Sequence, residues 1–297
     1  AGEDRLVTAS HEKKYDEYDD HDEYDDHDEN EIAKEESMRI LVCVKQVPDS
    51  WSERQLLADH RLDRDSAERV INDLDTYAVE AALQLAEAHG GQTIAMSMGP
   101  ASAEEAVRKA LQMGVDDGVL ITDPALAGSD ALATARTLAA GIARIAPDLV
   151  IMGIESTDAK MSVIPAMVSE FLDWPMLTLA QALSVDAGAA SATIERQTPT
   201  GHDVVTASLP AVVSVVEKFN EPRYPSFKGI TAAKKKTVET LDLGALGVDA
   251  TSVGIAGSPT QVVAAQSAAT KSAGLILDED EAAISQIVDF LAERRLV

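Results

Sequence analysis

Cysteine is almost absent from this chain: one residue in 297, with aromatic residues at only 4%. Cys43 therefore has no partner for an intramolecular bridge, which excludes a small disulfide-stapled scaffold and makes a reducing compartment the natural setting. It lies in the apolar run Ile40-Leu41-Val42-Cys43-Val44 and reads as a small buried hydrophobe of a core strand. No run approaches the roughly 18 apolar residues needed to cross a bilayer, and the first residues lack the basic-then-apolar order of a signal peptide. The expectation is a cytoplasmic protein without direct membrane insertion. Positive charge is also scarce, with 25 Lys and Arg against 51 Asp and Glu and a net charge of -26. A nucleic-acid binder must neutralise phosphates with cations, so that class is disfavoured.

The familiar signatures of chemistry are missing too. There is no G-x-G-x-x-G after a strand, no G-x-x-x-x-G-K-[ST], no Ser-rich pyrophosphatase loop, no H-E-x-x-H, no C-x-x-C pair and no G-x-S-x-G. Beyond Met38 the histidines are His60, His89 and His202, all read as surface residues. An enzyme acting on a nucleotide would need a base or metal that these absences do not supply. No catalytic residue and no metal site is assigned.

What is present begins with an acidic block. Residues 1–37 hold 16 Asp and Glu against four Lys and Arg, and Asp16-Glu17-Tyr18-Asp19-Asp20-His21 repeats as Asp22-Glu23-Tyr24-Asp25-Asp26-His27. Such a segment is too charged and too poor in apolar side chains to fold alone, so it reads as a disordered tail, a leader or upstream extension ahead of Met38.

From Met38 onward, short apolar runs alternate with amphipathic segments, the pattern of parallel strands joined by helices. Strands are expected at 39–47, 92–98, 118–122 and 148–153, with helices at 72–89, 101–113, about 130–145 and up to Trp174. Ser129 or Asp130 suits the cap of the third helix. Residues 182–207 change to short alternating runs, expected as a small antiparallel hairpin before a last strand at 211–216. Past Lys236 the periodicity fades, and 250–274 reads as an extended arm leading to a helix at 278–295. The fold class is thus α/β: an open, mainly parallel, Rossmann-like sheet with helices on both faces, an antiparallel hairpin and a C-terminal arm with a helix. The division is 1–37 tail, 38–236 nucleotide-binding domain and 237–297 arm and helix.

Such a sheet binds its ligand in the crevice at the carboxyl ends of its strands. The segments that fall there are 42–45, the helix start at Asn72, Ser97-Met98-Gly99-Pro100, and the loop 153–162 with Glu155 and Asp158. Backbone groups at these ends can hold an adenine and helix N-termini a phosphate, which points to a binding or carrier module.

At these same segments the chain resembles the β subunits of electron transfer flavoproteins. The resemblance rests on Ile40-Leu41-Val42-Cys43-Val44-Lys45-Gln46-Val47-Pro48-Asp49, on Asn72-Asp73-Leu74-Asp75-Thr76-Tyr77-Ala78-Val79-Glu80-Ala81-Ala82, and most specifically on Leu209-Pro210-Ala211-Val212-Val213-Ser214-Val215 running through Asn220-Glu221-Pro222-Arg223-Tyr224-Pro225 to Lys234-Lys235-Lys236. It implies a non-enzymatic electron carrier that pairs with an α subunit bearing a redox-active FAD and itself buries a structural AMP. In electron-bifurcating members a second FAD takes that place. By position it implies Cys43, Asn72, Met98 and Asp158 as nucleotide-lining residues, with Lys160 and Ser162 in the loop beyond. That loop usually carries more Gly, Thr, Asn or Gln, whereas here it reads Ala159-Lys160-Met161-Ser162-Val163-Ile164.

The resemblance further implies a recognition loop at 224–233 that docks acyl-CoA or other dehydrogenases, with Phe227 as the anchor, Tyr224, Lys228 and Ile230 around it, and Arg223 orienting the loop or reaching toward the flavin side. Electrons would leave to a membrane quinone reductase or another acceptor. A free-standing adenine-nucleotide sensor of similar sheet topology is the alternative of another class.

Overall fold

The computed structural model describes residues 37–266, 274, 276–277 and 281–297. The acidic block expected as a tail lies outside the described residues apart from Ser37. In chain order the elements are β1 (Met38–Cys43), β2 (Gln46–Pro48), β3 (Arg69–Ile71), α1 (Asp73–His89), β4 (Gly91–Met98), α2 (Glu104–Met113), β5 (Asp117–Ile121), α3 (Ala131–Ile145), β6 (Leu149–Gly153) and α4 (Ile164–Leu172). They continue with β7 (Met176–Ala180), β8 (Ala182–Asp186), β9 (Ser191–Thr198), β10 (Gly201–Ser208), β11 (Ala211–Val215), α5 (Phe227–Ala233), β12 (Val238–Leu241), α6 (Leu243–Leu246), α7 (Gly254–Gly257) and α8 (Glu281–Glu293).

Seven strands form one parallel sheet in the order β12-β5-β4-β1-β6-β11-β7. Alternate residues along a strand point to opposite faces, and the apolar runs fill both. Ile40, Val42, Ile151 and Val213 pack on the face covered by α1 and α2, while Leu41, Cys43, Val150 and Val212 pack on the face covered by α3 and α4. The open, doubly wound α/β class and its helices on both faces stand as expected. Asp130 caps α3 as expected, its side chain accepting from the Ala133 N–H at 3.0 Å.

Three details differ. The run 39–47 is two strands, because the backbone at Lys45 leaves the ladder: its N–H donates to Asp75 Oδ2 at 2.7 Å and its carbonyl accepts from the Asn72 N–H at 2.8 Å. Beyond that break β2 pairs antiparallel with β3 in a separate ribbon. Residues 182–207 make a three-stranded antiparallel sheet, β10-β9-β8, rather than a hairpin, and its inner side chains Val185, Ala192 and Ile194 join the main core. Met176–Ala180, a further strand, closes one edge of the parallel sheet.

The strand at 211–216 is not the last. Val238–Leu241 adds to the opposite edge in parallel register with β5, Thr240 facing Leu120, and the chain beyond it still contributes Leu243 and Val253 to the core. A four-residue strand alternating Val, Glu, Thr and Leu carries too short a pattern to stand out from loop. Leu241→Ala is expected to cost about 2–5 kcal/mol, the usual penalty for emptying a core leucine site. Denaturant titration measures it, and a cost below about 0.5 kcal/mol would place this segment outside the core.

Candidate functional site

The parallel sheet reverses its winding at β1: the chain runs outward through β4 and β5, then crosses back to β6 on the other side. A crevice must open at the carboxyl end of such a switch point, since the loops leaving β1 and β6 diverge to opposite faces. A cavity of about 320 Å³ lies there, within the range of small-ligand sites. Its apolar wall is Cys43, Met96, Met98 and Met152, and its rim comprises Lys45, Arg64, Glu155, Ser162 and the first turn of α3.

A polar knot holds this end of the sheet. Asn72 is fully buried, and its Nδ2 donates to Asp75 Oδ1 at 2.8 Å and to the Glu155 carbonyl at 2.9 Å, while its Oδ1 accepts from the Thr157 N–H at 3.0 Å. One side chain thereby ties the start of α1 to the loop after β6. Gly153 permits the approach, because a Cβ there would stand 2.6 Å from Asp75 Oδ1 and 2.9 Å from the Leu74 backbone.

Charge is arranged around the knot with marked asymmetry. Asp158, its side chain 1% exposed, takes Lys45 Nζ on Oδ1 at 2.9 Å and has Arg64 Nη2 2.7 Å from Oδ2. Burial pushes its carboxyl up, but the charge and hydrogen bond of Lys45 and then the charge of Arg64 outweigh it and hold Asp158 below the usual carboxylate range. Asp75 goes the other way: burial dominates, opposed by hydrogen bonds from Asn72 and the Lys45 backbone, and the carboxyl is pushed up to about 7. Cys43 is a neutral thiol, raised first by burial and then by the Asp75 charge, so it is packing and not a nucleophile.

Of the residues expected around a nucleotide, the structure brings Cys43, Met98 and Ser162 to the cavity wall. Asn72 and Asp158 stand behind the wall and shape it, and Lys160 is exposed in the loop, away from the lining. The reading of the sequence brought Lys45 to the crevice only as the end of the segment 42–45, and it missed Asp75 and Arg64. Lys45 and Asp75 lie inside the quoted motifs, two residues past a strand end and at the third position of a helix. Arg64 belongs to the loop between β2 and β3, where no periodicity or motif marks it.

The second candidate region is the segment after β11. Arg223 donates through Nε and Nη2 to the two carboxylate oxygens of Glu80 at 2.8 and 2.9 Å and through Nη1 to Glu87, while Asn220 Nδ2 donates to the Tyr77 carbonyl at 3.0 Å. These bonds fasten the segment along α1. They also draw the Glu87 carboxyl down, chiefly through the Arg223 hydrogen bond. Beyond the clamp Tyr224 is 95% exposed and Phe227 87% exposed, Lys228 is exposed and Ile230 half-buried. Ser226 caps α5 by accepting from the Gly229 N–H at 3.0 Å, and Lys236 turns inward to the Val115 carbonyl.

Fold and site together define a class: an open parallel α/β protein with a ligand cavity at its topological switch point. Within that class, the Electron transfer flavoprotein domain family matches residues 60–246. "Electron transfer flavoprotein subunit beta" of Mycobacterium leprae is 42% identical over 265 residues, covering 87% of this chain and 99% of its own length. The subunit of that name from Thermoanaerobacterium thermosaccharolyticum is 35% identical over 88% of this chain and all of its own length. "Protein FixA" of Sinorhizobium fredii is 35% identical over 76% of this chain and 81% of its own length. The chain belongs to the electron transfer flavoprotein β-subunit family, whose work is electron transfer.

Among the described residues no helix is long and apolar enough to cross a membrane, and no group of three or more His, Cys, Asp or Glu is placed to hold a metal ion. The Asp75 proton yields a test. Folded protein holds it up to about pH 7, whereas the ordinary value for the free group is 3.8. Between these values the folded state binds the extra proton, so this group's contribution lowers stability as pH rises through that window and is constant above it. The melting temperature of wild type minus that of Asp75→Asn should therefore fall by a few degrees from about pH 4 to about pH 7 and then level off.

Proposed function

We propose that the chain is the β subunit of a heterodimeric electron carrier without bond chemistry of its own. It holds a structural AMP in the switch-point cavity, pairs with an FAD-bearing α subunit and presents the Phe227 segment to dehydrogenases of the acyl-CoA type. A membrane quinone reductase or another acceptor takes the electrons onward. The observation that carries this reading is the exposure of Phe227 and Tyr224 on a segment held by five side-chain hydrogen bonds from Arg223 and Asn220 to α1. A large aromatic side chain standing in water on a firmly fastened helix start is how an interface anchor is built. Lys228, Lys234 and Lys235, all exposed, add charge that steers an acidic partner more than it binds one.

The cavity fits an adenine mononucleotide. Methionine and cysteine side chains give the flat, soft wall a base requires, and the rim supplies Lys45, Arg64 and the hydroxyls of Ser129 and Ser162. The flavin of the α subunit supplies the one-electron and two-electron chemistry when bound, and residues of this chain supply binding and orientation. The apolar face of α8, with Ile284, Ile287 and Val288 half or more exposed at helical spacing, suits docking on that subunit.

Co-expression with the α subunit, acid release and quantification of bound molecules should return one AMP and one FAD per heterodimer. Two FAD and no AMP would identify a bifurcating member, nucleotide without a partner would identify a sensor, and neither complex nor nucleotide would refute the reading. Phe227→Ala should slow reduction of the heterodimer by its dehydrogenase at least about tenfold while leaving nucleotide content unchanged. Equal rates in wild type and variant would remove Phe227 as the anchor.

A further inference from the structure

Positive charge is concentrated at one place on this acidic molecule. From Pro222 to Val238 the chain carries Arg223, Lys228, Lys234, Lys235 and Lys236 and no carboxylate, although its net charge is -26. Arg223 is spent on Glu80 and Glu87, and Lys236 on the Val115 carbonyl. Lys228, Lys234 and Lys235 are exposed and form no ion pair among the described residues. They share their segment with the exposed rings of Tyr224 and Phe227. Like charges held this close repel, and an anionic neighbour relieves them.

The described chain starts at the same end of the sheet. Met38 opens β1 opposite Gly91, just past the end of α1, where Glu87 grips Arg223. β4 separates β1 from β5, and the register sets Met38 against Gly91 and Asp117 against Ile94. At ordinary strand spacings the starts of β1 and β5 are then roughly 15 Å apart. Lys236 is bound to Val115, two residues before β5. The acidic repeat, residues 16–27, ends 11 positions before Met38, and an extended chain of that length reaches roughly 35 Å. It holds eight carboxylates, with Tyr18 and Tyr24 set among them. Aromatic rings among acids are the counterpart of aromatic rings among lysines.

We propose that the repeat at residues 16–27 docks on Lys228, Lys234 and Lys235 of its own chain and covers the Phe227 segment, as a tethered competitor of the dehydrogenase. A tether of this kind gives an effective concentration of about millimolar, so weak contacts suffice, and salt screens them. The contact itself stands on charge and position. Its effect on docking rests on the reading of Phe227 given above.

Two measurements on the heterodimer containing the whole chain test this. Carbodiimide coupling joins a carboxylate directly to an amine, and mass spectrometry should find residues 16–26 joined to Lys228, Lys234 or Lys235 at low salt. The yield should be independent of protein concentration and should vanish at about 1 M salt, where the screening length is about 3 Å. No coupling, coupling only between copies, or equal coupling to Lys160, exposed beyond the opposite end of the sheet, would overturn the contact. Converting the eight carboxylates of the repeat to amides should raise the second-order rate of reduction by an acyl-CoA-type dehydrogenase at least about threefold at low salt. In a Lys234→Gln/Lys235→Gln background the same conversion should change that rate less than about 1.5-fold. No gain in wild type, or an equal gain in both backgrounds, the mark of long-range repulsion, would overturn the competition. Coupling to these lysines in a heterodimer that no such dehydrogenase reduces would uphold the contact and refute the reading of Phe227.

Discussion

Everything at the functional end of this molecule depends on where the backbone of Lys45 goes after β1. Had it stayed in the ladder, β1 would run on into β2 and close the mouth of the sheet. Instead the side chain of Asp75 and the backbone N–H of Asn72 capture the two sides of the Lys45 peptide, and the chain turns out of the sheet. Asn72 then gives one side-chain donor to Asp75 and spends the other donor and its acceptor on the loop after β6. Buried polar groups in a low-dielectric setting must be satisfied together, so the knot either forms complete or costs several kcal/mol. Its completeness is what sets the two sides of the cavity at a fixed separation.

The electrostatics follow from the same geometry. Two carboxylates, Asp75 and Asp158, are buried against the same lysine residue, one on its backbone N–H and one on its ammonium, and are driven in opposite directions. Asp158 has two cations against it and stays ionised, while Asp75 receives only neutral N–H donors and the distant share of Lys45, so burial prevails. The ionised one draws positive charge to the rim. The other keeps its proton up to about pH 7.

The sequence made the sheet legible because parallel strands buried on both faces are continuous apolar runs, and Ile40–Val44, Leu149–Met152 and Ala211–Val215 are plainly that. What escaped notice was short or unpatterned: Val238–Leu241, whose middle residues Glu239 and Thr240 are exposed, and the break at Lys45, which is imposed by a backbone N–H and a side chain 27 and 30 positions on. The site divides in the same way. Cys43 and Met98 were readable because they end strands, and Phe227 because its neighbours form a recognisable string. Arg64 was not, because a loop residue becomes a cavity residue only through tertiary placement. Asn72 and Asp158 were expected to line a nucleotide, and their side chains stand instead behind the cavity wall.

Helix α1 joins the two functional regions as a single rigid part. Its first turn holds the cavity knot through Asp75, and two further points on it, Glu80 and Glu87, grip Arg223 and so fasten the segment bearing Phe227. The seven residues from Glu80 to Glu87 are two turns, about 10 Å, and bring both carboxylates to one face for one guanidinium. One residue added or removed between Asp75 and Glu80 would turn that face by about 100° relative to the knot. The length of α1 is therefore under a constraint independent of its composition: its side chains can drift over evolutionary time, but an insertion or deletion there would force the protein to choose between its cavity and the fastening of the segment that bears Phe227.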